Sequence, residues 1–329
     1  MPRNSYTFSS KLPKAFVFCL FLLILFQFAV SIFDNSDNFE NQELDRILHR
    51  NSKDVDYVFL GDSRIRSNIN EQTLKKNDHL EFLNIGLGGA TSVPLYFMLK
   101  RLLTNNPDMQ IRHCILALTK WHLVDIYAAR PRELYVTRVF TFSEFLEIKE
   151  YLPVNLIESY YLSKVIPSYS FPETIYFWDV YGKNDFYEYP GFEANTRWYS
   201  DITKEHIAFR DLSEINMKYT EKIIVFCINH DIQVQLLVSP LPQSLYDEFQ
   251  LVNPYSFSEM DQFIDHLCEK HQIELIPMPR VLPDNDFQDY SHLNRKGSID
   301  YTERLLDKLI RGSGLPLTLE RTSFHGYVQ

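Results

Sequence analysis

A serine hydroxyl is a weak nucleophile until a base removes its proton, so the first question is which serine a histidine can reach. Ser63 stands in Gly61-Asp62-Ser63-Arg64, directly after the apolar run DYVFL at 56–60. Far along the chain, Asp289-Tyr290-Ser291-His292-Leu293-Asn294 precedes a long helical pattern. A spacing of three lets Asp289 turn back onto the His292 imidazole. It would then fix the tautomer and stabilise the imidazolium formed when Ser63 loses its proton. Each motif also has an ordinary explanation. A serine after a strand often caps a helix, and D-x-x-H occurs in surface turns. The order of the two, one after the first strand and the other before the last helix, is what gives the pair weight.

Other constellations point elsewhere and are weaker. Asp62, His122, Asp125 and His292 show no H-x-x-x-H or comparable ligand spacing, so no metal is implied. The glycines of Asn84-Ile85-Gly86-Leu87-Gly88-Gly89-Ala90 are followed by no G-K-[ST], which excludes a phosphate loop. Cys19, Cys114, Cys227 and Cys268 are widely spaced and form no C-x-x-C, which argues for buried free thiols rather than a disulfide framework or a zinc site.

These residues need a scaffold, and the hydrophobic pattern supplies one. Apolar runs at 56–60, 81–85, 113–118, 232–238 and 273–278 are continuous rather than alternating, as strands buried on both faces require. Helical patterns at 93–104, 213–230, 257–271 and 294–310 lie between and after them. Strands alternating with helices predict a mainly parallel five-stranded sheet covered on both sides. In such a sheet ligands bind beyond the carboxyl ends of the strands, where Ser63 would lie at the start of a helix whose positive end favours developing negative charge. The stretch from about 126 to 211 breaks the rhythm. It is rich in Tyr, Phe and Trp and too long for a plain connection, so it predicts an inserted subdomain: a lid, or padding at the sheet edge. The tail 312–329 has no periodicity.

Composition and the N-terminus bound the setting. With 329 residues, 45% apolar content and a net charge of -10, the chain has enough apolar residues for a core and lacks the basic face that nucleic acid demands. Ala15 to Phe33 holds nineteen residues without a charge. At about 1.5 Å per residue that length spans the ~30 Å hydrocarbon layer. Arg3, Lys11 and Lys14 precede it, and Asp34, Asp37 and Glu40 follow. The positive-inside rule therefore predicts residues 1–14 in the cytoplasm, a signal-anchor at 15–33, a stalk with a short helix at 34–54, and a domain at 55–311 on the exported side, periplasmic or extracellular. A cleaved signal peptide is the rival, although no clean A-x-A site closes the segment.

The motifs together resemble the SGNH/GDSL hydrolase superfamily. FLGDSRIRSNI is similar to its first block, and FQDYSHLNRKG, including Gly297, to its last. The resemblance covers roughly residues 55–310 and implies a flavodoxin-like three-layer α/β/α fold. It further implies Ser63 as nucleophile, His292 as base and Asp289 as its orienting partner. The family's second block has a glycine whose N–H joins the oxyanion hole, a role the resemblance gives to Gly89 first and Gly86 second. The third block departs from the family. Where G-x-N-D is usual, this chain has Ala117-Leu118-Thr119-Lys120-Trp121-His122, with Trp121 or His122 about where the oxyanion-binding asparagine belongs. Either ring could supply an N–H, or both could line the pocket wall.

The resemblance implies an exported, membrane-anchored serine esterase or O-acyltransferase. Its substrate would be an acylated glycan of the cell envelope or another ester, without a cofactor. Three readings stand open from sequence alone. The chain is that enzyme; or it is a degenerate domain that binds glycan or envelope partners without turnover, which the missing asparagine favours; or it is an unrelated flavodoxin-like module whose motifs are accidental and whose Ser63 and His292 lie far apart.

Overall fold

A computed structural model describes residues 18, 20–25, 54–77, 79–124, 140–165, 211–255 and 257–312 of the chain. The expected signal-anchor at 15–33 lies largely outside them. Of that segment Phe18 and Leu20–Leu25 are helical, and each is exposed. Among the described residues no helix is long and apolar enough to cross a membrane. The stalk, the tail and most of the 126–211 stretch also lie outside the described residues.

The chain divides into two units: 1–51, 97–107 and 126–188 in one, and 52–96, 108–125 and 189–329 in the other. The larger unit carries β1 (Asp54–Asp62), α1 (Ser63–Asn68), α2 (Glu71–Leu74) and β2 (Phe82–Leu87). Helix α3 (Ser92–Asn105) starts in this unit and ends in the smaller one, and is followed by β3 (Gln110–Leu118) and α4 (Lys120–Leu123). The smaller unit then adds α5 (Phe142–Ile148) and α6 (Val154–Val165). The larger resumes with α7 (Glu214–Ile228), β4 (Gln233–Val238), β5 (Leu241–Pro242), α8 (Gln243–Val252), α9 (Ser258–His271), β6 (Glu274–Leu275), β7 (Val281–Leu282) and α10 (Arg295–Gly312). In the smaller unit, Phe145 and Tyr160 stack with ring centroids 3.7 Å apart. A capping box of Thr141 and Glu144 starts α5, and Arg101 grips the Glu144 carboxylate.

In the larger unit β2, β1, β3, β4 and β6 form one sheet in that order, every pairing parallel. Successive side chains alternate between faces, and both faces are covered. Tyr57, Phe59, Ile115, Ala117 and Leu237 pack with Ile65 of α1 and with Tyr301, Leu305 and Leu309 of α10. On the opposite face, Cys114 of β3 meets the Cys227 thiol of α7, and its hydrogen bond to that thiol, with burial, pushes Cys114 well above the usual thiol range. This is the three-layer α/β/α arrangement that the resemblance to the SGNH/GDSL hydrolases implied.

Strand one and the last strand of the sheet are not neighbours, because β3 and β4 separate them. The chain bridges that gap between β6 and α10, where it crosses the carboxyl rim back toward α1. There the Leu293 N–H donates to Asn68 Oδ1 at 3.1 Å, and the Thr302 hydroxyl both donates to the Asn68 carbonyl and accepts from the Asn70 N–H. The end of this crossing is a closed loop. Phe287 and Leu293 form an antiparallel bridge. The Gln288 N–H donates to the His292 carbonyl and the Asn294 N–H to that of Asp286, both at 2.9 Å. Asn294 caps α10 by accepting from the Gly297 N–H at 2.9 Å and donates to the Asn285 carbonyl at 2.7 Å.

Gly297 is confined by its neighbour. A Cβ there would sit 2.2 Å from the Asp286 carbonyl oxygen, which is backbone and belongs to this same loop. Gly297→Ala is therefore expected to lower stability by about 1–3 kcal/mol, the range for forcing extra atoms into a packed site. Denaturant unfolding checks this, and an unchanged midpoint would show that the loop gives way freely.

Candidate active site

The parallel sheet ends β1, β2 and β3 at one rim, with Gly61 opposite Gly86 and Leu60 opposite Leu116. The loops after these strands therefore share that rim. Asp62 closes β1 and serves as N-cap of α1, its carboxylate accepting from the Arg64 N–H at 2.9 Å. This places Ser63 in the first turn, partly open to solvent. Helix α1 has only six residues, so the helix dipole expected to assist Ser63 is a short one.

The Ser63 Oγ lies 2.9 Å from His292 Nε2. On the other side of the ring, Nδ1 lies 2.8 Å from Asp289 Oδ2. A carboxylate facing Nδ1 selects the tautomer with its proton there, which leaves the Nε2 lone pair for the Ser63 hydroxyl. The second oxygen of Asp289 accepts from the backbone N–H groups of Ser291 and His292, each at 2.8 Å. Burial alone would raise the Asp289 carboxyl. The charge of His292, its ring N–H and the two backbone N–H groups outweigh that and bring it down to about 2.

The remaining residues singled out by sequence fall into different places. Gly89 has φ +64° and is partly exposed on the turn after β2. In this left-handed conformation a side chain would be strained. Gly86 lies inside β2, buried, and a Cβ there would come to 2.4 Å from the Arg66 backbone nitrogen. Its lack of a side chain lets α1 lie close on the strand. His122 is buried, and its Nε2 pairs with Ser92 Oγ at 2.9 Å. Ser92 in turn meets Thr220 Oγ1 at 2.6 Å, so that ring nitrogen is already committed. Trp121 is half-buried, edge-on to Phe249, with the Arg64 guanidinium 4.6 Å from its ring centroid. Asp125 lies outside the described residues, and among the described residues no three His, Cys, Asp or Glu side chains group as for a metal ion.

Arg64 and Tyr290, which sequence reasoning passed over, also converge here with Asp62. Arg64 is buried beside Asp62, and its Nη1 reaches both Asp62 Oδ2 and Thr119 Oγ1, the latter at 3.1 Å. Burial opposes the charge on Asp62, yet Arg64, His122, the Arg64 N–H and His292 hold its carboxyl below the usual range. Burial pushes the Tyr290 phenol up, with Arg64 opposing. The sequence carries no local signal for Arg64, because a lone arginine reads as a surface residue.

No protein-family model matches the chain, and no curated protein matches it in sequence. Among solved structures it is similar to a GDSL-like lipase from Bacteroides thetaiotaomicron, at 11% identity over 79% of this chain and 89% of that one, with a TM-score of 0.37. It is also similar to an acetyl xylan esterase, at 14% identity over 78% of this chain and 100% of that one, with a TM-score of 0.36. Likeness at this level transfers no chemistry, and what the chain can do is set by its own side chains.

The Asp289 shift carries a sign. Its contribution to stability is complete above the ordinary carboxylate value of about 3.9 and is lost as pH falls through about 2. A decline in Ser63 reactivity well above pH 2 would therefore arise from another group. Asp289→Asn should leave the fold in place but favour the wrong tautomer, with reactivity at neutral pH falling by about 10⁴. Second-order rates of fluorophosphonate labelling measure this, and a rate within tenfold of wild type would show that Asp289 does not orient His292.

Proposed function

We propose that the chain is a serine esterase or O-acyltransferase of the SGNH kind. The observation that carries this is Ser63 Oγ at 2.9 Å from His292 Nε2 while Nδ1 faces Asp289 at 2.8 Å. In the proposed reaction Ser63 Oγ attacks the acyl carbonyl carbon, and His292 accepts its proton. The carbonyl π electrons move to oxygen, and the N–H groups of Ser63 and Gly89 donate hydrogen bonds to the oxyanion that forms. When the tetrahedral adduct collapses, the ester C–O bond breaks and His292 returns the proton to the departing alcohol. Water or a sugar hydroxyl, deprotonated by the same imidazole, then attacks the acyl carbon, and as the bond to Ser63 Oγ breaks His292 returns that proton to the serine oxygen. Water gives hydrolysis, and a sugar hydroxyl gives acyl transfer.

Topology supports the substrate class. An uncharged nineteen-residue segment flanked by Lys and Arg on one side and Asp and Glu on the other anchors the protein in a membrane and exports the domain. Acylated glycans of the cell envelope are then the esters within reach. The 126–211 stretch is rich in Tyr, Phe and Trp, residue types on which sugar rings stack, although Phe145 and Tyr160 among them are buried in the core.

The test uses the full chain in detergent. Wild type should hydrolyse p-nitrophenyl acetate and release acetate from acetylated glycan, and Ser63→Ala should lose roughly 10³ or more of the rate. Adding unacetylated glycan should divert acyl groups to the sugar if the enzyme is a transferase. Folded wild-type protein that neither turns over esters nor takes up a fluorophosphonate would contradict the enzyme reading and support a domain that binds glycan or envelope partners without turnover.

A further inference from the structure

The serine-enzyme reading leaves one oxyanion donor unaccounted for. Asparagine is absent after β3, and His122 Nε2 is committed to Ser92. The asparagine's place, about Trp121 or His122, falls on α4, whose N-cap Thr119 accepts from Arg64 and whose Trp121 ring lies under the Arg64 guanidinium. We infer that the Arg64 guanidinium is the third oxyanion donor of this site, in place of the asparagine.

Four observations support the assignment. Arg64 directly follows Ser63 and is buried, with 5% of its surface exposed. Its Nη1 is held by Asp62 and Thr119, and its Cζ lies over the Trp121 ring, 4.6 Å from the centroid. Nε is buried without a hydrogen-bond partner, and among the described residues the guanidinium's hydrogen bonds all go to Nη1. A buried, unmet N–H is costly and usually has a reason. Here the reason is the charge that forms only during reaction: the edge carrying Nε and Nη2 is kept for an oxygen that becomes negative in the transition state. Asp62 already balances the guanidinium charge, so Arg64 acts through its N–H groups and does not by itself select an anionic substrate. Thr119 and Trp121 fix the plane in advance, which is what makes such a donor effective.

The proposal rests on the serine-enzyme reading, and the experiment separates the two. Sulfur accepts hydrogen bonds poorly, so an enzyme with oxyanion donors prefers an ester over its thionoester. Rates are measured on p-nitrophenyl acetate and its thiono analogue for wild type, Arg64→Gln and Arg64→Lys. Arg64→Gln should lower kcat on the ester by about 10²–10³ with little change in KM, and lower kcat on the thionoester far less, so that their ratio shrinks. Arg64→Lys preserves a cation beside Asp62, which protects the fold, and should shrink the ratio in the same direction. A merely structural arginine would slow both substrates equally and leave the ratio unchanged, and that result in either variant overturns the assignment. Wild type without Ser63-dependent turnover would instead sink the enzyme reading itself.

Discussion

The proposed chemistry depends on a contact between residues 229 positions apart, Ser63 and His292. A hydrogen bond of that kind contributes little to stability by itself, on the order of 1 kcal/mol, and cannot assemble the two loops. Its geometry is a consequence of how each loop is fixed. Ser63 is placed by the end of β1 and by the Asp62 cap. His292 is placed by a loop closed through the Phe287–Leu293 bridge and stapled to α10 by Asn294. Asn68 joins the two halves, accepting from the Leu293 N–H and, through its carbonyl, from the Thr302 hydroxyl.

Asp289 shows how few atoms are needed to hold an imidazole. One of its oxygens takes two backbone N–H groups of its own loop and the other takes the ring. The loop conformation and the ring orientation are thus set by the same carboxylate. The Asp62–Arg64 pair makes a different kind of contribution. Desolvating two charges offsets most of what their attraction returns, so this pair is weak evidence for stability. Its value lies in fixing a guanidinium next to the nucleophile.

Much of this was legible in the sequence, for reasons particular elements make plain. β1, β3 and β4 are central and buried on both faces toward the rim, so each carries a buried apolar run there, Tyr57–Leu60, Cys114–Leu118 and Leu236–Val238, and their positions are readable. The last strand was read as 273–278 but is only Glu274–Leu275, because Pro277 and Pro279 carry no N–H for a ladder. Helix α8 was missed, since few of its side chains, Leu245 and Phe249 among them, are buried. Helix α1 is too short to show a period. Ser63, His292 and Asp289 were readable because their types, order and spacing are themselves the signal. Arg64 was not, because a lone arginine reads as a surface residue. Only the fold reveals that Asp62, Thr119 and Trp121 enclose it.

The central claim is that Ser63 and His292 act as one unit. A double-mutant cycle on kcat for p-nitrophenyl acetate hydrolysis tests it most directly, using Ser63→Ala, His292→Ala and the pair. Residues that share one proton transfer are strongly non-additive, so the double variant should be no slower than the worse single. Losses that multiply would mean the two side chains work independently, and the account of the site would be wrong.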